Sequence, residues 1–379
     1  MKICYINPAV LLRRPVAQII KKLCNKHDVS LLISRKLFQK RDSTLHYSDL
    51  PENVKVYSYA SISIPGISSE WPIPLDLNFP YYLFKIFRES DVIHMWAHFY
   101  LSNFIVCLFK LFRPKKKLII AIDTFPGYSF SAGKLMDSLF KIYTNTLAKI
   151  VYSAPTKVHL YGESLVKYAK IAGIHQNRIK VLSTGITIKQ PDKIKDIRQE
   201  FNIKQDETMI LYAGLLISRK GIDTAIKTIA RTKDKKCKLV LVGDGPDKKK
   251  YENLAKDHSV EDKVIFAGWR KDMYNFYSAA DLLFFPSRGE GLAGVIMEAM
   301  TFKLPVLTSN IPCTPDLVLH NKTGILCEKD NIKKFSEKLS ILIRDKKLRK
   351  KLGEAGYKHI QKFEWRKVIP KYLELYRDI

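Results

Sequence analysis

The chain has 379 residues, 46% of them hydrophobic, and its 65 lysines and arginines against 37 aspartates and glutamates give a formal net charge of +28. That length exceeds one ordinary core and predicts two domains of roughly 150 to 200 residues, with ample apolar content for globular packing. The charge calls for an anionic partner, whether nucleic acid, a membrane surface or acidic metabolites, unless it reflects a lysine bias spread over every helix.

In chain order, the amino terminus "MKICYINPAV" begins with a strand-like apolar run and lacks the pattern of a signal peptide, so secretion is not expected. Strands are predicted at 2 to 7, 28 to 34, 54 to 59, 91 to 96, 117 to 122, 149 to 154 and 179 to 184, with helical stretches between most of them. The longest apolar stretch, "FYLSNFIVCLFKLF" (99 to 112), contains Lys110 and falls short of the roughly 20 residues that cross a bilayer. Its end joins Phe109, Leu111 and Phe112 to Lys110, Arg113, Lys115, Lys116 and Lys117, a pattern suited to a lipid headgroup layer. The polar segment 185 to 209 reads as a linker and the lead-in helix of a second domain, which predicts a first domain over 1–190 and a second over 191–360.

A second strand series follows at 209 to 214, 237 to 243, 263 to 268, 281 to 287, 304 to 309 and 324 to 328. Continuous apolar strands alternating with helices predict an α/β class of two doubly wound, Rossmann-like domains facing a cleft, with ligands at the carboxyl ends of the strands. Cys4, Cys24, Cys107, Cys237, Cys313 and Cys327 show no C-x-x-C spacing, so neither a zinc site nor a disulfide framework is suggested, and buried reduced thiols in a cytosolic protein are expected.

Three stretches of the second half carry chemistry. "AGLLISRKGID" (213 to 223) presents Arg219 and Lys220 after a strand, and "LVGDGP" (241 to 246) ends the next with Gly243 and Gly245, which permit close backbone approach or simply a strand-to-helix turn. In "RGEGLAGVIMEAM" (288 to 300), Gly289, Gly291 and Gly294 keep a turn bare before a helix whose first amides suit a phosphate. Glu290 would repel that phosphate, so hydroxyl groups of a sugar are the better partner for it. With helical residues between them, Glu290 and Glu298 would lie roughly 12 Å apart, one on a transferred sugar and one on a ribose. The competing account makes Glu290 an acid favoured by the helix dipole and Glu298 an exposed helix partner.

The ordered set "RKGID", "VGDGP", "FAGW", "AADLLFFPSRGEGLAGVIMEAM", "PVLTSNIPCTPDLV" and "NKTGILCE" resembles the carboxyl-terminal domain of retaining GT-B glycosyltransferases of family 4. "FEWRKVIPKYLELY" (363 to 376) resembles the family's closing helix, which implies that 361–379 returns to the first domain. The resemblance implies a GT-B fold and a UDP- or GDP-linked sugar donor that is a substrate, with no cofactor and no obligatory metal. The basic surface in turn suits a glycan or lipid-linked acceptor, and a cytoplasmic place on the inner membrane face is expected. Carried onto this chain, Lys220 would neutralise the leaving diphosphate, with Arg219 sharing that role. Glu290 would bind donor sugar hydroxyls and Glu298 the ribose, while amides near Gly291 and Leu292 would hold the distal phosphate. Gly268 and Trp269 sit where the base is contacted.

The sequence departs from the family pattern in three places. Leu215 follows Gly214 where arginine is common, Asn7, Pro8 and Arg13 stand in place of a glycine pair, and Asp123 replaces a frequent histidine. His94 or His98 would then fill part of that role, while Asp123 either orients the acceptor or caps the "DTFPG" turn. No nucleic-acid-binding signature is visible, so nucleic acid is not an expected partner. A basic nucleic-acid-binding protein and a sugar-nucleotide epimerase of the same plan stand as the alternatives.

Overall fold

The computed structural model describes residues 1–379 except 37–48, 64–71, 132, 189–194, 233 and 235. The chain forms two units: Met1–Tyr128, Ala132–Gly185 and Trp365–Ile379 make the first, and Ser129–Ser131 with Ile186–Glu364 make the second. The expected boundary at 190/191 falls outside the described residues.

In the first unit the strands are β1 (Lys2–Asn7), β2 (Asp28–Lys36), β3 (Lys55–Ser63), β4 (Pro72–Pro74), β5 (Val92–Trp96), β6 (Lys117–Ile122), β7 (Lys157–Leu160) and β8 (Ile179–Val181). Their order is β4-β3-β2-β1-β5-β6-β7-β8, parallel except for β4 against β3. The order reverses between β1 and β5, and every residue of β5 is buried because helices cover both faces. β4 was not legible in the sequence; its two prolines fit an edge strand, where a missing N–H costs little.

The predicted strand at 149 to 154 is instead the helix Ala148–Ser153, and the strand starts at Lys157. Ala148, Val151 and Tyr152 are its buried residues, a spacing that only a helix turns to one side, and Pro155 separates the two elements. The apolar stretch 99 to 112 forms the helix Leu101–Leu111. Among the described residues, no helix is long and apolar enough to cross a membrane.

The second unit holds β9 (Thr208–Ala213), β10 (Cys237–Val242), β11 (Val264–Gly268), β12 (Leu282–Phe285), β13 (Val306–Ser309) and β14 (Gly324–Cys327). All pair in parallel in the order β11-β10-β9-β12-β13-β14, reversing between β9 and β12. At each reversal, successive helices leave to opposite faces and open a crevice at the carboxyl ends of the strands. All six cysteines are buried, and none forms a disulfide.

The closing helix Trp365–Arg377 belongs to the first unit. Gly185 admits it: a Cβ there would lie 2.3 Å from the Trp365 ring. Tyr372 and Tyr376 are fully buried, and the Tyr376 hydroxyl lies 2.6 Å from that of Tyr5 on β1.

Candidate active site

The reversal between β9 and β12 brings together Arg219, Lys220, Asp223, Arg288 and Glu290. The loop after β9 turns at Gly221, φ +71°, where a Cβ would fall 1.9 Å from the Pro286 carbonyl oxygen beyond β12. The two loops are therefore laid backbone against backbone. Arg288 N donates to Arg219 O at 2.8 Å, and the Arg219 guanidinium donates to Gly289 O at 2.7 Å. Arg288 clamps the same loops from outside by a two-point bond to Asp223, at 2.8 and 2.7 Å, and a third contact to Asp330 at 2.8 Å. Burial opposes the ionisation of Asp223, but the Arg288 hydrogen bonds and charge outweigh it and hold the carboxyl below its usual range.

Within this clamp Lys220 Nζ donates to both oxygens of Glu290, at 2.6 and 2.9 Å, and Ser287 Oγ donates to Glu290 Oε1 at 2.6 Å. The Lys220 and Glu290 side chains keep only 14% and 9% of their surface exposed. Burial lowers the lysine pKa, Glu290 opposes that fall, and Arg219 adds to it. Two residues expected to touch different parts of one ligand are thus bound to each other. An ammonium has three hydrogens and a carboxylate about four acceptor positions, so both still have capacity for a ligand with the pair intact.

Glu290 and Glu298 do not share a helix. The helix Gly294–Thr301 starts four residues after Glu290, because Glu290 is held in the preceding loop by Lys220 and Ser287, so a helical separation does not apply. Glu298 is not an exposed helix partner either: Tyr277 on the helix Met273–Ala279 donates to its Oε2 at 2.7 Å. Gly291 and Leu292 lie in the bend between Glu290 and this helix start. Gly243, φ +143°, is required because a Cβ would meet Gly214 O at 1.9 Å, and one at Gly245 would meet Leu216 O at 2.5 Å. Both glycines therefore press the β10 turn onto the β9 turn. Gly268 has φ +67° in open space, with Trp269 beside it 56% exposed.

In the first unit Asn7 is fully buried, and its amide donates to Ala9 O and Leu11 O at 2.7 and 3.0 Å while its Oδ1 accepts from Arg13 N at 3.1 Å. This side chain staples the β1 turn, a short amide among loop carbonyls that satisfies the backbone around it. Arg13 stacks its guanidinium on Trp96, 4.4 Å from the ring centre.

His94 lies inside a chain of hydrogen bonds with a single direction. The Leu182 carbonyl can only accept, so His159 Nε2, 2.6 Å away, carries the proton and His159 Nδ1 accepts from His94 Nε2 at 3.3 Å. His94 Nδ1 in turn accepts from Tyr376 at 2.8 Å, whose oxygen takes the Tyr5 hydroxyl. Burial, and then the neighbouring imidazole, hold His94 well below its usual range. It ties the closing helix to β5 through Tyr376.

His98 is also buried, donating from Nε2 to Thr124 O at 3.0 Å and accepting at Nδ1 from Tyr152 at 2.8 Å, with its pKa lowered by burial to about 4. Both ring nitrogens are thereby occupied. Asp123, at the carboxyl end of β6, accepts from Thr124 Oγ1 at 3.3 Å, and its charge adds to burial in raising the Tyr161 phenol. Ser287, Arg288, Asp223 and Tyr277 were not singled out in the sequence. Arg288 and Ser287 flank the quoted glycine turn, but nothing local marks Tyr277 as the partner of a residue 21 positions on.

Residues 193–359 match the model of the family described as glycosyl transferases group 1. An N-acetyl-alpha-D-glucosaminyl L-malate synthase of Bacillus anthracis is 25% identical over 185 residues, 48% of this chain and 49% of that protein. An uncharacterized glycosyltransferase of Haemophilus influenzae is 32% identical over 252 residues, 65% and 66% of the two chains. The chain thus spans about half to two thirds of the length of the curated relatives it matches. The crystal structure of HepE from Anabaena in complex with UDP superposes with a TM-score of 0.81 over 100% of both chains at 16% identity, a likeness of fold.

Proposed function

We propose, for a chain whose residues 193–359 belong to the glycosyl transferases group 1 family within a GT-B fold, that it transfers a sugar from a UDP- or GDP-linked donor to an acceptor hydroxyl with retained configuration. The observation that carries this is the buried Lys220–Glu290 pair at the strand reversal, just ahead of the helix start at Gly294. A diphosphate over that helix start takes the unbonded amides and the third Lys220 hydrogen, and Lys220 stabilises the charge that grows as the bond from sugar to phosphate breaks. Glu290 accepts from sugar hydroxyls and Glu298 from the ribose. In a front-face transfer the acceptor oxygen bonds to the anomeric carbon while its proton passes to the departing phosphate oxygen. No metal is then obligatory, and Asp123 orients the acceptor hydroxyl.

The acceptor we propose is a lipid-linked or cell-surface glycan intermediate at the cytoplasmic membrane face. Its support is the net charge of +28 and the helix Lys134–Asn145, whose Leu135, Leu139 and Ile142 stand 75%, 49% and 61% exposed at helical spacing beside Lys134 and Lys141. The test is release of nucleoside diphosphate from UDP- and GDP-sugars with lipid-linked acceptors, with the anomeric configuration of the product read by NMR. An epimerised sugar nucleotide formed without acceptor would replace transfer by epimerisation, and an inverted product would remove the retaining mechanism.

A further inference from the structure

A cavity of about 900 Å³ opens at the amino ends of β1, β5 and β6, the opposite end of the first sheet from Asn7, His98 and Asp123. Its wall includes Phe112, Arg113, Lys115, Lys116, Lys117 and Arg377, the last supplied by the closing helix. Asp91 is the one carboxylate among the described lining residues, and its Oδ2 already accepts from Lys2 N at 2.8 Å. None of Arg113, Lys115, Lys117 and Arg377 enters an ion pair among the described residues.

The cations of this segment are not equivalent. Lys110 is buried and turned to the Pro114 carbonyl, and Lys116 is turned to the Ser90 carbonyl, which fixes the loop rather than reaching outward. Burial lowers the Lys116 pKa, Asp91 opposes this, and the Arg113 charge adds a smaller part. Apolar surface adjoins the charge: Leu111 is 54% and Phe112 83% exposed, and Arg113 stacks over Phe84, itself 49% exposed. A phosphate with hydrocarbon attached satisfies both halves of this surface, whereas a free anion uses only one.

We propose that this cavity is a docking site for the phosphate headgroup of an anionic phospholipid, held by Arg113, Lys115, Lys117 and Arg377 while Leu111 and Phe112 enter the outer acyl layer. The proposal rests on the membrane contact proposed above and assigns it a second point, separate from the strand ends that carry the chemistry.

The test is sedimentation of the full chain with vesicles of phosphatidylglycerol and phosphatidylcholine in equal parts, and with phosphatidylcholine alone. The parent should bind only the anionic vesicles. Lys115→Gln, Lys117→Gln and Arg377→Gln should each weaken binding about fivefold, and the triple change about a hundredfold, as the surface potential acts on each cation. Phe112→Ser should weaken it further, and release of nucleoside diphosphate in the absence of vesicles should stay at the parent level in all five variants. A parent that binds no vesicle removes the membrane contact and this site together. A triple variant that binds like the parent, with binding lost instead in Leu139→Ser/Ile142→Ser, leaves the membrane contact standing and overturns the site. Inorganic phosphate that displaces the vesicles at equal phosphate concentration, or a single-stranded DNA that binds more tightly than they do, overturns the choice of lipid.

Discussion

The two sheets reverse strand order in the same way yet hold opposite chemistry at the reversal. Between β9 and β12 the second unit packs charge on charge: Lys220 on Glu290 and Arg288 on Asp223, each pair bonded at two points. Around β1 and β5 the first unit packs mainly neutral groups, an amide, two hydrogen-bonded imidazoles and several phenols, with burial keeping the imidazoles uncharged and Arg13 laid on the Trp96 ring instead of on a carboxylate. A shared topology supplies a crevice, and the loops decide what the crevice can do. An ionised, prearranged site suits a diphosphate whose charge grows during reaction. The neutral one suits fixing a helix and leaves Asp123 as the charged group at the end of β6.

Breaking the ionised side should have the largest effect. Lys220→Ala should lower turnover about 10²- to 10³-fold, the usual cost of one preorganised electrostatic donor, and should also lower the melting temperature, because the buried Glu290 carboxylate loses its partner. Steady-state rates beside thermal melts measure both; turnover within twofold of the parent would pass the role to Arg219. Next comes Glu298→Gln, which should weaken donor binding by about 1.5 to 3 kcal/mol, the worth of one charge-assisted bond. Calorimetric donor affinity is the measurement, and an unchanged value would take the ribose away from Glu298.

Crossing to the first unit, Asp123→Asn should reduce turnover about tenfold with donor affinity unchanged, since an orienting carboxylate acts on the acceptor. Full activity would make Asp123 a turn residue. The smallest effect per step is acid sensitivity of the neutral side. His98 and His159 have folded pKa values lowered by burial to about 4, against an ordinary value near 6.5. The unfolded chain binds their protons first, so their contribution to stability is complete above pH of about 6.5 and falls as pH drops towards about 4, by at most about 1.4 kcal/mol per pH unit per imidazole. Hydrogen exchange read separately for β5 to β7 and for β9 to β12 should show this loss in the first set; equal, flat profiles in both would erase the contrast.

Much of the second unit was legible because its strands are strongly apolar runs, and β9, β10 and β11 end at or just before Gly214, Gly243 and Gly268. The first unit was less so. Ile150, Val151 and Tyr152 carry strand propensity, yet they sit on a helix because packing of Ala148, Val151 and Tyr152 overrides it. Lys220 and Glu290 were visible as residue types near turns, but their direct pairing was not, since 70 positions separate them. The burial of His94 was equally hidden, because its partner Tyr376 lies 282 residues away on the closing helix. The bonds of Asn7 were not legible either: a polar residue at the end of a strand looks the same in sequence whether it faces a ligand or its own loop.

Titration of the parent, Lys220→Ala and Glu298→Gln with UDP, GDP and their sugars by calorimetry tests the central claim most directly, that the charged reversal of the second unit is a nucleotide-sugar site. At least one sugar nucleotide should bind the parent and bind both variants at least tenfold more weakly, with all three proteins equally folded. Absence of binding by every nucleotide in the series, or equal binding by the parent and both variants, would contradict it.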